Sequence, residues 1–246
     1  MVSYSQVLQE AEARVNLPEF NPVGLFGDSI KVQLPEGFVD ARYAVIFAVI
    51  ATGRAQGLIF DLRTSDFRQI PDNQEVFVAA DSSESSDNSI IIELVERLES
   101  DDPGATPATA DINAVRAHYD EISSINSSIS RAKVLGLVPL DVSTLPRTTT
   151  AYMITGTQIA EKWGKNHNAD LMYLVLTLAV VRLPDNSTDV LISFNSAVKC
   201  SEQAVRLFTE NDDIDSIVLL RIGLLQALCR KVVESLEVVH WGLFAD

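Results

Sequence analysis

The feature that most constrains this chain is a succession of four apolar stretches, Val134–Val142, Ala151–Ala160, Leu171–Leu183 and Val190–Phe194. Each carries the β-branched and aromatic residues that suit a pleated surface, and each reads as a strand. The last two flank Pro184-Asp-Asn-Ser187, a turn cluster that predicts a β-hairpin. Two shorter strands are expected. At Ile30–Leu34, Ile30, Val32 and Leu34 alternate with Lys31 and Gln33, and the turn Pro35-Glu-Gly37 follows; the other is Glu75-Val-Phe-Val78.

Helices are expected on either side of the four stretches. At about Ile90–Leu98, the residues Ile91, Leu94, Val95 and Leu98 share one face at helical spacing, after a polar loop at Asp81–Asn88 that can cap it. From about Asp111 to Ile125, Ile112, Val115, Tyr119 and Ile122 form a stripe. A long helix is expected from Asp212 to Ser235, lined by Ile217, Leu220, Leu224 and Leu228, with Arg230 and Lys231 near its end, where the helix dipole favours cations. Antiparallel strands with helices before and after them make an α+β domain.

Charge narrows the choice of partners. Thirty-four acids against nineteen bases give the 246-residue chain a net charge of −15. Such a chain repels phosphate backbones, which argues against nucleic acid, and a basic protein surface is its natural complement. Two distant cysteines, Cys200 and Cys229, match no metal spacing and no disulfide framework. Met1–Asn16 carries Glu10 and Glu12 without an apolar core and is expected to be neither a signal peptide nor a transit peptide. Cytosol and nucleus follow as the expected locations. The apolar run Tyr43–Ala51 is interrupted by Gly53, Arg54 and Gln56, too early for the ~20 residues of a membrane span.

No catalytic pattern stands out. His118, His167 and His240 have no partner spacing suggesting a triad or a metal site, and each is expected to be surface or structural. Gly53-Arg-Ala-Gln-Gly57 is a glycine pair without the lysine of a phosphate-binding loop. No enzyme activity, cofactor or metal is expected.

Three stretches carry a resemblance. The first is Leu25-Phe-Gly27 with Leu34-Pro35 and Gly37-Phe-Val-Asp40. The second is Ser65-Asp-Phe-Arg-Gln-Ile-Pro-Asp-Asn-Gln-Glu-Val-Phe77 with Ser89-Ile-Ile-Ile-Glu-Leu94. The third is Arg182-Leu-Pro184 with Thr188-Asp-Val-Leu-Ile-Ser-Phe-Asn195. In this order they resemble the Ran guanine-nucleotide release factors, the Mog family of nuclear import factors. The resemblance implies a single antiparallel sheet packed between helices, a fold shared with PsbP-type proteins. It implies binding to the small GTPase Ran, GTP-bound or nucleotide-free, and release of its nucleotide in support of nuclear import. Carried over by position, the Ran-facing residues are Asp72 and Glu75, with Asp40 as a neighbour, Arg68 as a support, and Asn73 and Gln74 in the same run. Read from the residues alone, Asp72 and Asn73 equally suit a turn after Pro71, and Glu75 a solvated strand position. A monomer is expected; involvement of a second Ran-binding protein stays open, as does an adaptor that binds without releasing nucleotide.

The chain departs from the family pattern in one place. Arg42–Thr64 separates Val39-Asp-Ala41 from Ser65-Asp-Phe-Arg68, stretches that run almost directly together in the family. The segment is apolar and foreign to the pattern, and codon choices at Arg42–Ala44 and Ser65 permit splice signals at its ends. It is read as a retained intron, with a genuine insertion that alters or covers the Ran-facing surface as the alternative, within a single domain spanning 24–246, preceded by an extension at 1–23 expected to be poorly ordered.

Overall fold

A computed structural model describes residues 10, 12–41, 70–80, 87–99, 104–125, 132–163, 169–211 and 214–244. The order is β1 (Phe20–Leu25), β2 (Ile30–Pro35), β3 (Phe38–Asp40), β4 (Gln74–Ala79), β5 (Asp87–Glu96), α1 (Pro107–Ile125), β6 (Lys133–Pro139), β7 (Thr150–Trp163), β8 (Ala169–Leu183), β9 (Thr188–Lys199), α2 (Glu202–Asn211), α3 (Ser216–Glu234) and β10 (Glu237–Val238). Among the described residues, seven strands form one antiparallel sheet, in the order β3-β4-β5-β9-β8-β7-β6. A smaller sheet, β1-β2-β10, stands beside it. The α+β class is as expected, with the strands divided between two sheets.

Strand β8 shows why its sequence is a nearly continuous apolar run. Its odd positions, Tyr173, Val175, Ala179, Val181 and Leu183, join a core containing Val218, Ile222, Leu225 and Cys229 of α3. Its even positions, Leu176, Leu178 and Val180, join a second core with Val115 and Tyr119 of α1. A strand covered by helices on both faces has no need of polar alternation. Leu178, Val180 and Val181 are fully buried, each stabilising by roughly 1.5–3 kcal/mol. The β8–β9 hairpin closes where the turn cluster predicts: Pro184–Asn186 forms one 3-10 turn and Ser187 takes φ 47°. Gly156 on β7 leaves room for Tyr119, whose hydroxyl would lie 2.1 Å from an added Cβ.

Two helix expectations are corrected. Ile90–Leu98 is not a helix; most of it is β5, paired with β4 on one side and β9 on the other. Ile90 and Ile92 are fully buried, so the operative period is two, and three consecutive β-branched isoleucines favour it. The expected helix Asp212–Ser235 is α3, and a shorter helix, α2, precedes it. Asp215 caps α3 by accepting the Ile217 N–H at 2.8 Å. The buried face runs through Val218, Ile222, Leu225, Cys229 and Val232; of the expected stripe Leu228 is buried and Leu224 packs against the core, whereas Ile217 and Leu220 are 65% and 53% exposed. So apolar a helix offers more than one stripe at the same spacing, and only packing against the sheet selects between them.

The chain is engaged ahead of residue 24. Strand β1 opens at Phe20, and Arg230 of α3 donates to Glu12 Oε1 at 2.9 Å. The segment Arg42–Thr64 lies outside the described residues. Cys200 and Cys229 are free thiols; burial pushes Cys200 up to about 11 and Cys229 higher. No described helix is long and apolar enough to cross a membrane.

Candidate functional site

The acidic run folds into a turn and the start of a central strand. Pro71 O accepts the Gln74 N–H at 2.9 Å, which closes the turn at Asp72 and Asn73. Asn73 is tied to β5: its side-chain amide donates to Leu94 O at 2.9 Å, and its carbonyl accepts the Leu94 N–H at 2.9 Å. Gln74 Nε2 donates to Glu93 Oε1 at 2.8 Å. Both side chains therefore hold the turn to its neighbour strand, and Asp72 is left exposed at the tip.

Glu75 is not a solvated strand residue. It is only 4% exposed, on the same face of β4 as buried Phe77. Its Oε1 accepts the Phe26 N–H at 2.8 Å, across 49 residues of sequence. A buried carboxylate needs such partners, because burial unmatched by hydrogen bonds costs several kcal/mol. Together the β1–β2 connection and the acidic turn enclose a half-open cavity of about 280 Å³, lined by Phe26, Gly27, Ile70, Pro71, Asp72, Gln74 and Glu75. Asp40 sits one strand away, half-buried and in register with Phe77. Arg68 lies outside the described residues. Of the six residues the sequence singles out, the cavity thus gathers Asp72, Gln74 and Glu75. What sequence reasoning missed is the β1–β2 connection, whose signal was the Gly24-Leu-Phe-Gly-Asp28 pattern.

A second polar cluster lies under α1. His118 Nε2 sits 3.1 Å from Asp189 Oδ2. Arg182 bonds Asp189 Oδ1 through Nε at 3.0 Å and Asp111 Oδ1 through Nη1 at 2.7 Å. The Leu98 N–H and the Thr150 hydroxyl supply further donors, to Asp189 at 3.2 Å and to Asp111 at 2.9 Å. A histidine against an aspartate is the raw material of a catalytic dyad. Here Asp189 is fully buried, Arg182 is 1% exposed and His118 4%, and both Asp189 oxygens are occupied. Burial alone would raise the Asp189 carboxyl, but the His118 hydrogen bond, the Arg182 charge and the Leu98 amide outweigh it and hold it below its ordinary value. The cluster is a structural tie between α1 and the β8–β9 hairpin, and His118 is structural. Among the described residues no group of His, Cys, Asp and Glu is arranged to hold a metal.

Fold and site define an α+β protein with an acidic, loop-built edge: an exposed aspartate beside a cavity with a buried carboxylate. The chain belongs to the family of Ran-interacting Mog1 proteins, whose model matches residues 61–197. It is 30% identical over 138 residues to the Ran guanine nucleotide release factor of Danio rerio, covering 54% of this chain and 67% of that protein. It is 27% identical over 227 residues to the nuclear import protein mog1 of Schizosaccharomyces pombe, covering 91% of this chain and all of that one. The crystal structure of the Saccharomyces cerevisiae Ran-binding protein Mog1p shares the fold, with a TM-score of 0.59 at 24% identity, covering 94% of this chain and 100% of that one.

Proposed function

We propose that this chain binds Ran and promotes release of its guanine nucleotide, in support of protein import into the nucleus. The observation that carries the reading is the family match over residues 61–197, which contains the whole acidic turn and the strand behind it. The physics agrees. A GTPase holds nucleotide with a lysine, backbone amides and Mg²⁺ around the phosphates. A carboxylate brought against such an electropositive region competes with the phosphates or draws off the metal. Whatever binds the nucleotide-free state better weakens nucleotide binding by the same factor. Asp72, exposed at the tip of a turn that Asn73 and Gln74 anchor, is the acid best placed to make that approach. The protein acts by binding, with no chemistry of its own, and its work places it in nucleus and cytoplasm.

The Arg42–Thr64 segment belongs to the same proposal. It is read as a retained intron, absent from the working protein; the family match opens at residue 61, close to the segment's end. Sequencing transcripts across the junction tests this, and reads that mostly contain the segment would overturn it.

Release of a fluorescent GTP analogue from purified Ran tests the function. Faster release in the presence of this protein, as the full chain or with Arg42–Thr64 removed, is the expected result. Binding to Ran with no change in release would make the protein an adaptor. No binding by either folded form would refute the reading.

A further inference from the structure

The β1–β2 connection has an uncommon backbone. Phe26, Gly27 and Asp28 take φ of 50°, 64° and 64°, so three successive residues lie in the left-handed region and two of them carry side chains. An aspartate tolerates the region more readily, whereas a bulky residue such as Phe26 persists there only where its surroundings over-determine it. Two contacts do so here. From the large sheet, Glu75 Oε1 accepts the Phe26 N–H at 2.8 Å. From within the hairpin, Asp28 folds its carboxylate into the space a side chain at position 24 would take: a Cβ on Gly24 would stand 1.8 Å from Oδ1. The result is a turn that leaves Gly27 and Asp28 exposed, with Phe26 and Gly27 forming one wall of the cavity whose other wall is Ile70–Asp72.

We propose that Glu75 serves partner docking as a positioning residue, fixing the Phe26–Asp28 turn beside the Asp72–Gln74 turn so that the two together form the docking surface. Asp28 is then its second exposed acid, alongside Asp72. A carboxylate 4% exposed and already holding a backbone amide is poorly disposed to reach a partner itself. It is well disposed to set the shape of what the partner meets. The proposal rests on the Ran reading, and the occupant is a basic face of that GTPase, which an acidic pair of turns on a chain of net charge −15 complements.

Glu75→Gln and Glu75→Ala separate the two roles, because glutamine keeps a carbonyl oxygen for the Phe26 amide while giving up the charge. Loss of one charge-assisted hydrogen bond is worth about tenfold in affinity, so Glu75→Ala is expected to weaken Ran binding about tenfold, and Glu75→Gln no more than about threefold. Gly24→Ala removes no acid yet displaces the Asp28 carboxylate, and it is expected to weaken binding in the same direction as Glu75→Ala. Amide hydrogen exchange at Phe26, followed by NMR on the free protein, should be slow in the wild type and in Glu75→Gln and faster in Glu75→Ala. If Glu75→Ala fails to fold, Glu75→Gln and Gly24→Ala still decide. Wild-type binding that Glu75→Gln reduces tenfold or more, with Phe26 exchange unchanged, would show that the charge meets Ran directly and would overturn the positioning role alone. A wild type that does not bind Ran overturns the parent reading and this role with it.

Discussion

Two buried carboxylates, Asp189 and Glu75, have nearly the same exposure and opposite settings. Asp189 is closed on all sides: His118, Arg182 and the Leu98 amide occupy its oxygens, and Arg182 carries the network on to Asp111. Glu75 holds a loop amide across the gap between two sheets and lines an open cavity. Both anchor distant segments. The first joins helix to hairpin inside the packed scaffold. The second sets the relation of two surface turns. A closed network makes one arrangement of the core much better than any other, whereas an acid at the edge of a cavity shapes what a partner encounters. Burial alone therefore does not distinguish the two acids; what lies beside them does.

The largest effect should come from breaking the closed network. Arg182→Ala leaves Asp189 and Asp111 buried without their guanidinium and is expected to cost about 3–5 kcal/mol, read from urea unfolding midpoints. Nucleotide release measured well below the melting temperature should stay near wild type; a loss there would erase the distinction between the two regions. Next comes Asp72→Lys, on the open side. It should weaken Ran binding about tenfold while stability moves by less than about 0.5 kcal/mol. A large drop in stability would show that the acidic turn is scaffold after all. Smaller again is salt: raising it from about 50 to 300 mM should weaken Ran binding a few-fold, and less in Asp72→Lys, because exposed charges are screened.

The smallest effect is on the acid limb of stability. With its folded pKa depressed, ionised Asp189 contributes fully above the unfolded carboxylate value of about 3.9, and the contribution is lost as pH falls below that toward the folded pKa. Unfolding midpoints of wild type and Asp189→Asn should therefore differ most at neutral pH and converge in acid. His118, Arg182 and Asp111 remain in the variant, so the difference reports Asp189 together with its coupling to these partners. Curves that stay parallel down to about pH 3 would mean that the carboxyl is not held below its ordinary value.

Much of the scaffold was legible. Strands β7 to β9 and their hairpin follow from apolar runs of β-forming residues punctuated by a proline-led turn, signals that act over a few residues. The stripe on α1 was also legible, with Val115 and Tyr119 buried where the spacing placed them. Strand β5 reads as a helix because Ile91, Leu94, Val95 and Leu98 fall at helical spacing, while Ile91 between Ile90 and Ile92 masks the strand period that buries those two. Pairing with β4 and β9 decided the matter. On α3 the surplus of apolar positions hid which face turns inward.

By itself the sequence determined the acidic character, the central strands and hairpin, and the turn at Asp72. Each depends on composition or on neighbours close in the chain. Only the tertiary structure decided that Glu75 points inward to Phe26 across 49 residues, and that Arg182 meets Asp111 across 71. A strand's alternation says that residues 75 and 77 share a face; it does not say what covers that face. The covering elements are brought there by the hydrophobic packing of the whole domain, and no local pattern encodes their position.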